Sequence, residues 1–534
     1  MKILANRRQV LAAAAAMGFA AWTFPATAQQ QAANDTLRVV VHADLKILDP
    51  VFSNAWITVR HCYLIADTLY SVDSKLTPQP QMVEKHEIDD AGVNYRFTLR
   101  EGLRFHDGQP VRAADAVASM QRWLRNSGDA KRLGGYVESV AAVDDHVFTL
   151  KLREPYAMVL DTLARPQGPL FVFPERIVSK VKDGDQFSEV MGSGPFVFVK
   201  EEWQPGSKVV YKKNADYVPR KEPADFLSGG KIAYLNRVEW LTMPDANTTL
   251  SALISGEVDY FEVPPLDFIA LAETNPDLKV QVFDAVGLHG FIRPNFLQPP
   301  FNDVRARQAL ALLVDQDNFM RAAVGNPKLY RKCFSYFMCG SPNETELGSE
   351  AYQNPNVEKA KALLKEAGYK GEEIVIITPS QAELPVFFSL ATYLGQTLND
   401  AGIKAKTEVL DWASFVARRS NKGPVAQGGW NLFASFQGGP DTSVPVQNYW
   451  FNSTCGASAQ GWPCDEKLEQ LAGAYSMERD PKKRRALVDE IQKRGYEYFP
   501  LILLGQFTQP IITRANVEGV LPASQAVYWN IRKT

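Results

Sequence analysis

The sequence lacks the compact signatures of catalysis. It contains no Gly-x-Ser-x-Gly elbow, no His-Glu-x-x-His zinc motif, no Walker loop and no dinucleotide-binding Gly-x-Gly-x-x-Gly. Histidine is scarce. The six residues His42, His61, His86, His106, His146 and His289 stand singly, so spacing alone shows no histidine-built metal site. Neither sign of charge dominates: 58 basic and 60 acidic residues leave a net charge of −2, which gives no electrostatic case for a nucleic-acid partner. Internal repeats and low-complexity linkers are absent. The 46% hydrophobic and 22% charged composition is that of an ordinary globular chain and argues against long disorder.

Long apolar runs are also missing, apart from one at the start. Val10 to Phe24 is apolar over about 15 residues, short of the roughly 20 that a spanning helix needs. Arg7-Arg8 precedes it and Ala26-Thr27-Ala28 follows, a small-x-small cleavage pattern. We therefore expect residues 1–28 to be a removable export signal. The paired arginines resemble a twin-arginine signal, with an ordinary Sec signal as the alternative. Removing Lys2, Arg7 and Arg8 leaves the remainder near −5, mildly acidic. No cysteine sits at the cleavage point, so a lipid anchor is not expected and the mature chain should be free in the periplasm.

The five cysteines fit an oxidising compartment. Cys333 and Cys339, and Cys455 and Cys464, are close pairs that read as local loop staples, leaving Cys62 as a buried or free thiol. A metal site is the competing reading. Neither pair has zinc-like spacing and no histidine lies nearby.

At 534 residues the chain exceeds one hydrophobic core, and a prior of roughly 150 residues per domain suggests two or three. Leu37 to Val41 reads as a buried first strand, and 93–100 and 147–152 as further strands around a helix from Val111 to Arg125. Gly192-Ser193-Gly194-Pro195 leads into paired strands at 196–200 and 208–212. Asp245 to Ser255 reads as a helix ended by Gly256. From Phe301 the pattern becomes more regular, with a helix to about Val324 and another at 357–367. Strand 373–377, helix 386–401 and strand 404–410 then form a β-α-β run, which implies parallel strands. Helix 481–496 and strand 500–505 follow.

Six stretches resemble, in order, the extracellular solute-binding family 5 of ABC importers, the peptide/nickel receptor type. They are 93–117 (VNYRFTLREGLRFHDGQPVRAADAV), 192–218 (GSGPFVFVKEEWQPGSKVVYKKNADYV), 250–260 (LSALISGEVDY), 300–315 (PFNDVRARQALALLVD), 354–369 (NPNVEKAKALLKEAGY) and 398–412 (LNDAGIKAKTEVLDW). The resemblance implies a two-lobed α/β periplasmic binding fold (type II, cluster C) with an extra subdomain inserted in the N-terminal lobe. It places lobe I at 36–60, 186–288 and 505–534, the inserted subdomain at 61–185 and lobe II at 289–504. Strands crossing between the lobes are expected near 286–294 and 499–506. It also implies a monomeric receptor, without cofactor or catalysis, that captures a peptide or peptide-like solute and delivers it to an inner-membrane permease. A metal chelate, haem or another organic solute is the alternative cargo.

Peptide receptors of this type fix the ligand ammonium with an aspartate in a Trp-x-x-Asp-like stretch. The matching region, 430–441 (WNLFASFQGGPD), has no acid between Trp430 and Pro440, and Phe436 stands at that place. The arginine that meets a dipeptide carboxylate should fall near 378–386, which offers Glu383 instead. A buried unpartnered charge is costly, so zwitterionic dipeptides are disfavoured in the usual pose. What remains is aromatic surface with a few polar groups. The expected ligand-binding residues are Asn54 and Trp56, in the early loop after the first strand, with Trp412, Phe436, Gln437 and Asp441, Asp441 being a substitute carboxylate. Trp430, Phe433, Tyr449 and Trp450 share the region, and about half of its aromatics should be core. His106-Asp107 and Asn302-Asp303-Arg305 are read as turn and cap residues of the scaffold.

Overall fold

The computed structural model describes residues 35–127, 130–187, 189–282, 284, 286–455 and 458–534. The expected leader at 1–28 lies outside the described residues.

Two sheets carry the architecture. The first has seven strands in the order Phe196–Phe198, Lys208–Lys213, Arg237–Leu241, Thr36–Val40, Tyr260–Phe261, Pro510–Arg514 and Leu278–Val282. The first expected strand is its centre. Thr36–Val40 pairs in parallel with Arg237–Leu241 on one side and Tyr260–Phe261 on the other. The second sheet runs Tyr330–Arg331, Ile502–Phe507, Leu288–Pro294, Leu432–Gly438, Ile374–Pro379 and Ala405–Leu410. Ile374–Pro379 is parallel to both of its neighbours, as the β-α-β pattern requires. All six of its residues are buried, because helices Pro385–Asp400 and Trp412–Arg419 pack against it.

Between Thr36–Val40 and Phe196–Phe198 the chain builds a separate four-stranded antiparallel sheet from Val83–Ile88, Asn94–Leu99, Val147–Leu152 and Val137–Ala142. Helix Ala113–Asn126 packs on this sheet.

Three local expectations are corrected. The expected long helix from Phe301 is two helices, Val304–Leu312 and Gln316–Val324. Asp315 caps the second by accepting from Asp317 N and Asn318 N at 3.0 and 3.3 Å, and a capping carboxylate favours a new start over continuation. Trp56, expected in a loop, opens helix Trp56–Ile65. Nine of that helix's ten residues are buried, so it has no polar stripe and shows no helical periodicity in sequence. Its end is pressed against the Gly192–Gly194 stretch. A Cβ at Gly192 would stand 1.7 Å from Ile65 O, a close approach that only glycine permits.

The third correction concerns the crossings. Leu288–Pro294 and Ile502–Phe507 both lie wholly in the second sheet, paired antiparallel to each other. The chain passes between sheets just outside them, after Val282 and before Leu288 and again after Phe507 and before Pro510, since Leu278–Val282 and Pro510–Arg514 pair in the first sheet. Both expected disulfides are present, Cys333–Cys339 and Cys455–Cys464. Cys62 is free and buried. Among the described residues no helix is long and apolar enough to cross a membrane.

Candidate ligand-binding cleft

In sheets with parallel strands the loops at the carboxyl ends converge and form the usual place for ligands. Here both sheets turn those ends toward the same gap. In the first sheet Val40 is level with Leu241 and Phe261, so His42 and Glu262 emerge together. Pro510 and Val282, which begin and end the strands joined to the crossing segments, leave by that same edge. In the second sheet Pro379 is level with Leu410, and Leu288 is level with both Gly438 and Phe507. Loops 380–384, 411–412 and 438–441 therefore face the crossing segments, and through them the first sheet.

On the first wall a buried network fixes the surface. Glu262 accepts from His42 N at 2.8 Å, contacts His42 Nδ1 at 2.7 Å and pairs with Arg60 Nη1. Burial alone would push the Glu262 carboxyl up, but Arg60 and His42 outweigh it and hold it down at about 2. Arg60 also donates from Nε to Gln525 Oε1 at 3.3 Å, and its guanidinium lies 5.2 Å from the Trp56 ring centre. Gln525 in turn donates to Gln167 Oε1 at 2.8 Å, and Gln167 Nε2 donates to the carbonyl of Asn54. Trp56 and Asn54 are thus presented by one hydrogen-bonded framework. Asp284, in the first crossing, is pushed up to about 6 by burial, although Gly287 N, Val286 N and Arg60 oppose the shift.

On the second wall Trp412 is 42% exposed and stacks on Phe415 with ring centres 5.7 Å apart. Its backbone N–H donates to Glu383 Oε1 at 3.1 Å, and Ser380 Oγ donates to the other carboxylate oxygen at 2.7 Å. Glu383 is thus engaged in holding this loop. Asp411 caps the helix through Ser414 N at 3.0 Å. Asp411→Ala should therefore loosen the Trp412 mount and weaken ligand binding, by less than removing the indole itself, as titration calorimetry of the variant would report.

Phe436 is half-buried between Phe387 and Phe507, with ring centres 4.8 and 5.4 Å away. Gln437, half-buried, is paired across the strands with His289. Asp441 lies in the short helix Gly439–Thr442, with Arg165 Nη2 from the antiparallel-sheet side 3.7 Å from its Oδ1. Asn54 and Trp56 thus lie on the side of the first sheet and Trp412, Phe436, Gln437 and Asp441 on that of the second, with Gln437 lining a small enclosed cavity beside His289, Tyr336 and Leu503. Of the region's other aromatics, Trp430 and Phe433 are core at 0% exposure, whereas Tyr449 is exposed.

Sequence reading missed His42, Arg60, Arg165, Gln167, Glu262 and Gln525. His42 and Glu262 carry a usable signal, since they lie two and one residues beyond the ends of strands that are parallel in the sheet. Arg165 and Gln525 carry none.

The scaffold residues sit as expected. His106 Nε2 is 3.2 Å from Gly194 O, Asp107 pairs with Arg176, and Asp303 caps Arg305 N at 2.8 Å. Among the described residues one cluster has metal-ligand proximity, Cys339 with Glu344 and Glu346, but Cys339 is committed to its disulfide.

Comparison with known proteins places this geometry. The family model described as bacterial extracellular solute-binding proteins, family 5 (middle), matches residues 77–459. The probable peptide ABC transporter periplasmic-binding protein y4tO of Sinorhizobium fredii is 35% identical over 538 residues, covering 99% of each chain. Among solved structures, the binding protein AgaA of A. tumefaciens R10, in complex with agropinic acid, superposes with a TM-score of 0.76 at 23% identity, over 93% of this chain and 99% of that one. A dipeptide binding protein of Pseudoalteromonas sp. SM9913, in complex with Met-Leu, gives a TM-score of 0.76 at 19% identity, over 93% and 100%.

Proposed function

The chain belongs to the bacterial extracellular solute-binding proteins of family 5, and from that premise we propose that it is the periplasmic receptor of an ABC importer, closing two lobes over a peptide or peptide-like solute. The family is one of solute-binding proteins and not of enzymes, in line with the missing catalytic motifs. The observation that supports the reading is that the carboxyl-end edges of the two sheets are the edges joined by both chain passages, with exposed Trp412 beside one edge and Trp56 over the Arg60–Glu262 pair beside the other. We assign lobe I to the first sheet, lobe II to the second, and the inserted subdomain to the antiparallel sheet, with rotation where Leu278–Val282 gives way to Leu288–Pro294 and Ile502–Phe507 to Pro510–Arg514.

The charges of the gap shape the cargo. Glu262 is paired with Arg60, Glu383 is held by its own loop, and Asp441 faces Arg165. A ligand is then gripped through aromatic faces and amide hydrogen bonds more than through its charged ends, which suits the interior of a peptide or a capped, peptide-like molecule. No donor set in the gap favours a metal chelate or haem over this.

Native mass spectrometry of protein purified without denaturation should show a bound solute of peptide-like mass, lost on unfolding and refolding. Only ligand-free protein, together with no heat of binding for a library of short peptides, would sink the proposal. Trp412→Ala should weaken binding about tenfold, or about 1.4 kcal/mol. The melting temperature of the ligand-free protein should barely move, since Trp412 is largely outside the core. A large fall in that temperature would make Trp412 a packing residue instead.

A further inference from the structure

The unit carrying the antiparallel sheet touches lobe II at several points well away from the crossing segments. Ala157 N donates to Ser476 O at 2.8 Å, and Arg479 Nη1 donates to Asp90 O at 2.5 Å. Arg132 Nη2 lies 3.6 Å from Glu469 Oε2. The Arg479 guanidinium covers Gly92 so closely that a Cβ there would lie 3.1 Å from Nη1. Inside this outer strip lies the Arg165–Asp441 pair at 3.7 Å, with the Arg165 and Asp441 side chains only 6% and 16% exposed. The Asp441 charge also reaches Tyr63. Burial, and then that charge, push the Tyr63 phenol up, and its hydroxyl donates to Pro166 O at 3.0 Å.

We propose that this unit is the clasp of the closed form, and that Arg165 is its central positioning residue, holding Asp441 of lobe II by an ion pair that exists only when the lobes are shut.

The geometry gives this pair an unusual role for its length. Arg165 Nε donates to Gln167 O at 2.8 Å, so the guanidinium is held in place before Asp441 arrives and little side-chain freedom is lost on pairing. Gln167 belongs to the same hydrogen-bonded framework that presents Asn54 and, through Gln525 and Arg60, Trp56. Asp441 follows directly on the strand that carries Phe436 and Gln437. The pair therefore ties one ligand wall to the other. Rotation about the crossing segments separates the two residues and returns both charges to water, so their attraction counts only toward the closed state. A device that biases closure sets the apparent affinity for any ligand bound between the lobes, because only the closed fraction binds fully. Desolvation of both groups offsets part of the attraction, so the bias is modest and does not close the empty receptor permanently.

The test uses ligand-free full-length mature protein, so its outcome does not depend on the peptide reading. Small-angle scattering should give a larger radius of gyration for Arg165→Gln and for Asp441→Asn than for the parent, the closed population falling about five- to tenfold. The double variant should open no further than either single variant, because the second change has no interaction left to remove. Arg165→Lys, which keeps the charge, should recover part of the closure. Hydrogen exchange should rise together at 157–167 and 439–445 in both single variants, and this readout also serves where scattering is dominated by aggregation. Unchanged dimensions and exchange in both single variants overturn the proposal. So does a double variant whose opening is the sum of the two.

Discussion

Replacing Glu262 with alanine is expected to destabilise the protein by about 3–5 kcal/mol, the usual consequence of stripping one partner from a buried ion pair. Its side chain has no solvent exposure, and Arg60 is 1% exposed, so the charge left behind has no route to water. The His42 backbone and ring also lose their acceptor. Removing both charges with apolar groups of similar volume, as in Arg60→Met with Glu262→Leu, should cost less than the single alanine change, because no unpaired charge is buried. Urea unfolding of the parent, single and double variants measures this directly. A single variant as stable as the parent, or a double variant worse than the single, would mean that the pair is not desolvated as the structure places it. The substitution also bears on function, since Arg60 stacks beneath Trp56. Glu262→Ala should weaken binding even under conditions where the variant remains folded.

This pair also shows what could and could not be read from the sequence. Strands such as Ile374–Pro379 were legible because β-branched runs bounded by turns have few other uses, and the β-α-β order fixed their parallel direction. The disulfides were legible because short cysteine separations in an exported chain leave few partners. Helix Trp56–Ile65 was not, since a helix buried on all sides has no amphipathic period to detect. The break at Leu313–Asp315 was missed for a related reason: Leu313 and Val314 are buried like the helices on either side, and only the cap of Asp315 marks the restart. In the cleft, aromatic residues next to strand ends were found because residue type and position agree. Arg165 was not found, because its meaning comes from Asp441, 276 positions away in sequence and at the end of a strand of the second sheet. The two charged anchors missing from the sequence are missing for a structural reason as well. Phe436 is wedged between Phe387 and Phe507, where a carboxylate would have no place, and Glu383 is occupied in holding Trp412.

Acidification should destabilise the protein above the ordinary carboxylate range, and buried histidines are the cause. Burial lowers His61 to about 3 and both His106 and His289 to about 4, from an ordinary value of 6.5. Each is a base that folding keeps neutral. As pH falls through 6.5 the unfolded chain takes up three protons that the folded protein refuses, and stability falls by about 1.4 kcal/mol per pH unit for each histidine. Asp284 acts with the opposite sign. Its carboxyl is raised to about 6, so between pH 6 and 3.8 the folded form binds the extra proton and gains stability on acidification, offsetting one histidine. From pH 7 to 5 the balance is a loss of about 4 kcal/mol. Below 4.5 Glu262 adds a loss of the same sign, since its carboxyl, held at about 2, is ionised in the folded protein while the unfolded chain protonates. His289→Gln isolates one contribution and should flatten the slope between pH 6 and 5 by about 1.4 kcal/mol per unit. A stability flat from pH 7 to 5, or a slope that His289→Gln leaves unchanged, would remove the histidines from the account. His289 is also level with Gln506 in the strand that leads to the second crossing and with Gln437 on the cleft wall. Its protonation in the folded protein, which waits until about pH 4, would place a charge in the sheet row shared with Gln437, so binding by the folded protein should persist to pH 5 and fail only near pH 4.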